Sequence, residues 1–226
     1  MSAIAIIPAK GVSRRIPRKN VRNFHGRPII AYSIDAAVES RLFDRIIVST
    51  DDEVIARMAE GLGAESIMRP PELSSDRFGP LDVAAHAVRL TSVWPVPDFY
   101  CCILATAPML QAGDLRRGLR ELEKRPESSY SFGMGTEPPK DAGMWYWGRT
   151  QAFLDNVQLV NERTVMVPMP ENRVCDINTE EDWLRAERMY GALHPAPCEH
   201  QYRMHTWDMP EERYFRCEKC GVALMT

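Results

Sequence analysis

No hydrophobic run in this 226-residue chain is long enough to cross a bilayer. The apolar stretch Ala3 to Pro8 is too short for a signal-peptide core, and no cleavage pattern follows it. The expectation is a cytoplasmic protein without a membrane partner. The chain also lacks the Walker pattern G-x-x-x-x-G-K-[ST], internal repeats and low-complexity tracts. It lacks a basic excess: 28 Lys and Arg stand against 31 Asp and Glu, for a net charge of −3. A general nucleic-acid surface is therefore not expected, because phosphate neutralisation needs net cationic surface. What is present is globular in balance, with 45% hydrophobic and 26% charged residues.

The near-neutral sum hides an asymmetry. Lys10, Arg14, Arg15, Arg18, Lys19, Arg22 and Arg27 follow one another with no acid among them. A local basic patch on a near-neutral protein suits a small polyanion. The 6 cysteines are also uneven. Cys101 and Cys102 lie in an apolar run, where packing explains them. Cys175 has no histidine beside it in sequence and is a poor nucleophile candidate. Cys198, Cys217 and Cys220 gather near the end with His200, which reads as a metal site better than as a disulfide framework.

Periodicity gives the architecture. Ala3–Ile7, Arg45–Ser49 and Phe99–Leu104 read as buried strands, and Glu65–Met68 as a shorter one. Ser129–Phe132, Met144–Trp147 and Val165–Val167 are further strands. A loop holding Pro138, Pro139 and Asp141 joins the first two of these. Helical spacing begins at Pro28 and runs to about Ser40. It recurs after Asp51 or Asp52 up to Gly63, over Leu81–Leu90, over Asp114–Lys124, and after a Thr179 cap. Strands alternating with helices predict an α/β fold with a mostly parallel, Rossmann-like sheet, whose ligands bind at the carboxyl ends of strands. Periodicity stops at the proline-bearing stretch from His194 to Cys198. The expected division is a main domain over 1–193 and a small module over 194–226.

The loop after the first strand is the first place to look for a ligand. Its backbone N–H groups can turn toward an anion, Gly11 permits close approach, and Lys10, Arg15 and Lys19 add positive charge. Triphosphate transfer needs charge held on both reacting and leaving phosphates. The bland alternative is a solvated basic turn.

The run Ile6 to Asn20 (IIPAKGVSRRIPRKN) resembles the signature of the CMP-sugar synthetases, the family of the acylneuraminate, Kdo and pseudaminic acid cytidylyltransferases. Similar stretches follow in order at Phe43–Asp52, Met68–Leu73 with Asp76, Ile103–Gln111, Asp141–Gly143 and Asp176–Trp183. The resemblance runs from Ala3 to about Leu193. It is nearest to the pseudaminic branch over Cys101–Gln111 and Asp141–Gly148. It implies a nucleotide-diphospho-sugar transferase fold, CTP and an acidic sugar as substrates, and a catalytic Mg²⁺. Lys10, Arg15 and Lys19 would hold the triphosphate, with Lys10 where the family has Arg. Ala9, Gly11, Ser13 and Asn20 would belong to the nucleotide loop, with Arg69 and Asp76 along the nucleotide. Gln111 and Asp141 would face the sugar, and Asp176 would serve catalysis and Mg²⁺.

The sequence departs from the family in places. The family's Asp-Ile-Asp-Thr is here Asp176-Ile177-Asn178-Thr179. Alternation puts Asp176 and Asn178 on one side, so Asn178 can offer a carbonyl oxygen to Mg²⁺ with one charge fewer. Weakened metal binding is expected, and a helix cap is the bland reading. Val12 replaces a glycine in the loop, and Gly79-Pro80 replaces a threonine-rich step. The long arm of the pseudaminic branch, which helps bind sugar and pair subunits, is reduced to Met134–Lys140. A homodimer would be weakened, and the sugar could differ, a partner could complete the site, or the protein could bind nucleotide without turnover.

Cys198-x-His200 and Cys217-x-x-Cys220-Gly221 give four soft or borderline ligands for a structural Zn²⁺, with His205 an alternative to His200. So short a module needs metal to fold, and it would serve protein contact or stabilisation. His86 in an Ala-rich helix reads as a core or rim residue. Trp145, Tyr146 and Trp147 read as a strand serving both core and pocket. Rivals to the synthetase reading are a regulatory or scaffold nucleotide-binding protein, and a transferase acting on something other than a free sugar.

Overall fold

Side chains alternate across each strand, and that alternation sorts the core into two layers. Ile4 and Ile6 of β1 (Ala3–Pro8) pack with Tyr100 and Cys102 of β6 (Phe99–Ile103), and with Tyr130 and Phe132 of β7 (Tyr130–Thr136). Two helices cover this layer, α3 (Pro80–Thr91) and α5 (Thr150–Leu154). The opposite layer holds Trp145 and Trp147 of β8 (Pro139–Arg149), both fully buried. There α1 (Ile29–Ser40) packs beside α4 (Ala112–Glu123). The Trp147 indole N–H donates to the Leu115 carbonyl, 3.0 Å away.

This computed structural model describes residues 1–93 and 95–195, and beyond them the backbone of three short strands. Its seven-stranded sheet has the order β5-β4-β1-β6-β8-β7-β9, with β4 Arg45–Thr50, β5 Glu65–Met68 and β9 Thr164–Pro168. The β5-β4-β1-β6 half is parallel; β8 runs antiparallel to both neighbours, and β9 pairs parallel with β7. This is the expected mostly parallel α/β sheet. The reversal of β8 has a functional consequence: its amino end lies beside the carboxyl end of β6, where Leu104 donates to the Met144 carbonyl.

Several local expectations shift. Pro28 ends the two-residue strand β3 (Arg27–Pro28), paired with β2 (Asn23–Phe24), and stands just outside α1. Asp52 caps α2 (Glu53–Gly61) by accepting from the Val54 and Ile55 N–H groups. The expected loop around Pro138 and Pro139 is instead a tight hairpin, because β7 and β8 stay paired out to Thr136 and Pro139. Only Glu137 and Pro138 join the two strands. The helix α6 (Glu180–Leu193) starts at Thr179, whose hydroxyl and N–H exchange bonds with Asp182.

Contacts divide the chain into two compact units, Met1–Tyr190 and Gly191–Thr226. In the second, β10 (Tyr202–Thr206), β11 (Arg213–Cys217) and β12 (Ala223–Met225) form an antiparallel sheet in that order. The zinc-ligand candidates Cys198, His200 and Cys220 lie outside the described residues, as does the side chain of Cys217.

One buried ion pair fixes the approach to α6. The Arg173 guanidinium grips Asp114 with two nitrogens, one of them 2.9 Å from Oδ1, and both residues are buried. Asp114 also accepts from the Gln111 N–H at the start of α4. Removing one partner strands the other's charge in a poorly solvated site. Asp114→Ala should lower unfolding free energy by about 3–5 kcal/mol, read by urea denaturation; a loss no larger than that of an exposed pair would contradict this assignment.

Candidate active site

A cleft of about 680 Å³ opens at the carboxyl ends of β1, β5 and β6. Parallel strands leave their following loops together at this edge, which is why ligands collect there. Lys10, Ser13, Arg15, Lys19 and Asn20 line it from the loop after β1. Arg69 and Asp76 line it from the segment after β5. Asp141, Asp176 and Asn178 line the far wall. Gln111 does not reach it: that residue begins α4, and its side chain is exposed.

The loop's own backbone is already committed. The Ala9 N–H donates to the Ser49 carbonyl at 2.9 Å and the Gly11 N–H to Asp51 at 2.9 Å. These two N–H groups are directed at protein acceptors. Gly11 has a further reason: a Cβ there would stand 2.6 Å from Asp52 Oδ2. Close approach to the cap of α2 leaves no room for a side chain. Asn20 donates to the Lys10 carbonyl at 2.9 Å, stapling the loop's ends, while Ile16 buries its middle.

Each loop cation has a partner, and the partners differ in kind. Lys10 donates to Asp76 at 2.5 Å, and Arg14 sits 3.3 Å from the same carboxylate. Arg18 pairs with Asp52 at 2.9 Å and Arg22 with Glu180 at 2.7 Å. Arg15 instead donates to the amide oxygen of Asn178 at 3.1 Å, and Lys19 to the Ile177 carbonyl at 2.7 Å. Neutral acceptors orient these two groups without cancelling their charge. Burial lowers the Lys19 pKa below the ordinary 10.5, against the pull of Asp176.

Arg69 is buried: it donates to the Ser49 carbonyl at 2.8 Å and to Ser74 at 3.0 Å, and lies 3.5 Å from Asp51. It braces the wall. Across the cleft, Asp141 accepts from the Gly143 N–H and the Tyr146 hydroxyl, each at 2.8 Å. Desolvation raises its pKa, and the nearby Asp176 adds to the rise. Gly143 adopts φ +63°, and a Cβ there would stand 3.0 Å from Asp176, so this glycine lets the two acids share one wall.

The two residues expected to face Mg²⁺, Asp176 and Asn178, bond to each other. The Asn178 Nδ2 donates to Asp176 Oδ2 at 2.5 Å, and its Oδ1 is turned to Arg15. Asn178 Oδ1 therefore faces a cationic side chain, whereas Asp176 Oδ1 has no hydrogen bond among the described residues. Sequence reasoning assigned no ligand role to Arg14, Phe78, Thr106 and Tyr146, which also line the cleft. Arg14 and Thr106 lie inside the matched stretches, and Tyr146 carried the alternation signal. Phe78 carried none.

A Rossmann-like sheet with a cationic cleft at its carboxyl edge defines a nucleotide-binding α/β protein, and comparison sharpens this. The pattern of the cytidylyltransferase family matches residues 4–206, and the chain belongs to that family. A pseudaminic acid cytidylyltransferase of Campylobacter jejuni is 31% identical over 231 residues, covering 87% of this chain and 99% of that one. An N-acylneuraminate cytidylyltransferase of Streptococcus agalactiae is 42% identical over 218 residues, 81% of this chain and 52% of that one. Among solved structures, a CMP:2-keto-3-deoxy-manno-octonic acid synthetase complexed with CTP shares the fold, with TM-score 0.68 and 16% identity over 85% of this chain and 100% of that one.

The pH dependence of anion binding tests the role of Lys19. Its protonated form attracts phosphate, and its pKa is lowered, so CTP affinity should fall as pH rises while ordinary lysines are still charged. Lys19→Arg should flatten that decline in calorimetric titrations between pH 7 and about 10. An equal decline in both proteins removes Lys19 from the binding site.

Proposed function

We propose that this cytidylyltransferase moves CMP from CTP to an acidic nonulosonic sugar of the pseudaminic or sialic acid type, releasing pyrophosphate. The observation that carries the reading is the pair Arg15 and Lys19, held at the strand edge by neutral acceptors with their charge available. The family and the similarity to pseudaminic and N-acylneuraminate cytidylyltransferases support the choice of substrates.

In this reading the anomeric hydroxyl oxygen of the sugar bonds to the α-phosphorus of CTP. The bond from that phosphorus to the bridging oxygen breaks, its electrons leave with pyrophosphate, and the hydroxyl proton passes to solvent water. Arg15 and Lys19 stabilise the charge that builds on the leaving group, as preorganised cations do without reorganising. Lys10 and Arg14 join them by exchanging Asp76 for phosphate. Asp141 and Tyr146 form the wall that faces the acceptor. Mg²⁺ would be held by the Asp176 carboxylate and phosphate oxygens, and would supply further charge neutralisation.

The test is pyrophosphate release from each nucleoside triphosphate with pseudaminic, sialic and related acids. CTP with one nonulosonic acid should give release, and Arg15→Ala should cut it by about 10²-fold. CTP binding without release, with any of these acids and with Mg²⁺ or Mn²⁺ present, would replace this reading by a binding-only one. The short β7–β8 hairpin makes that second reading specific, because the family's sugar-binding arm is absent here.

A further inference from the structure

We propose that Asn178 is a positioning residue that sets Arg15 and Asp176 at once, registering the phosphate loop against the turn before α6 without a divalent cation between them. The inference deepens the nucleotide-binding reading and rests on it for the ligand arm of its test.

An amide can both accept and donate, and Asn178 does both. Its oxygen accepts from Arg15 Nη2 at 3.1 Å, and its nitrogen donates to Asp176 Oδ2 at 2.5 Å. The residue between the two, Ile177, is buried and takes Lys19 on its carbonyl at 2.7 Å. The turn is thus tied to the loop at adjacent positions by neutral acceptors. A carboxylate at 178 would keep the bond from Arg15 but would have no proton for Asp176. Two like charges a hydrogen bond apart repel, and a bridging cation is the ordinary remedy. Asparagine removes both the repulsion and the need for that cation. It also leaves the Arg15 charge uncancelled, where a carboxylate would compete with phosphate for it. Asn178 is engaged by Arg15 and Asp176, so a divalent cation arriving with a triphosphate meets one carboxylate in this turn, Asp176.

Full-length wild type, Asn178→Asp and Asn178→Ala should be compared in EDTA and in Mg²⁺, by thermal unfolding without ligand and by calorimetric titration with CTP. The wild-type unfolding temperature should be the same in both media, and its CTP affinity should persist in EDTA. Asn178→Asp should lose about tenfold or more in CTP affinity in EDTA and regain it in Mg²⁺. Its unfolding temperature should rise with Mg²⁺. Asn178→Ala should bind more weakly in both media, with no rescue by metal, which a metal-ligand role would not produce. The proposal is overturned if wild type loses CTP affinity in EDTA as steeply as Asn178→Asp, or if Asn178→Ala binds like wild type. Should wild type bind no CTP in either medium, the nucleotide reading falls, and the Mg²⁺ response of Asn178→Asp unfolding alone decides the role of Asn178.

Discussion

Lys10, Arg14, Arg15, Arg18, Lys19 and Arg22 occupy one short loop, where their mutual repulsion opposes any compact shape. Every other segment at the strand edge is arranged around relieving it. The end of β4 supplies Asp51 and Asp52, the segment after β5 supplies Asp76, the turn before α6 supplies Asn178 and Ile177, and α6 supplies Glu180. These ties are mostly exposed, and exposed ion pairs add little to stability. Stability comes from elsewhere, from buried strands and from the aromatic group of Phe24, Tyr32, Trp183 and Tyr190 that seats α6. The polar ties decide position: they fix where positive charge stands relative to Asp141 and Asp176.

Much of this was legible in the residues. Continuous apolar runs gave the central strands, because a sheet covered on both faces needs them. The Trp145-Tyr146-Trp147 stretch was legible as a divided strand, and its alternation puts two indoles in the core and Tyr146 in the cleft. Whether Asp51 or Asp52 caps α2 was not legible, since either can cap from its position. The structure divides the work, and the residue freed from capping holds Gly11. The β7–β8 hairpin was hidden because Pro138 and Pro139 are strong turn signals, and a two-residue turn and a loop share that composition. The role of Gly11 was hidden because sequence records that a side chain is missing, not which neighbour excludes it.

The reversed strand β8 links fold to chemistry. Had it run parallel, its amino end would lie at the far edge of the sheet and Asp141 with it. Antiparallel pairing with β6 places Asp141 at the cleft, and the register with β7 shifts between Phe132 and Met134, with the extra residues in β8 between Asp141 and Tyr146. The same strand then turns directly into β7. The alignment to the Campylobacter jejuni relative runs over 231 residues while covering 87% of this chain, so that relative carries residues which this chain omits. The short hairpin leaves Asp141 and Tyr146 on the cleft wall, with the exposed Phe78 also lining the cleft.

Partner exchange divides the cations by cost. Lys10 and Arg14 share an exposed carboxylate, so trading Asp76 for a phosphate loses little and gains a doubly charged partner. Arg15 and Lys19 lose only neutral acceptors. Arg69 is the opposite case: it is buried and bonded to Ser49 and Ser74 beside Asp51, so moving it would leave polar groups unpaired in the interior. The cleft therefore combines a fixed brace with cations that change partners at small cost, and the difference lies in burial and in the charge of each acceptor, not in the identity of the cation.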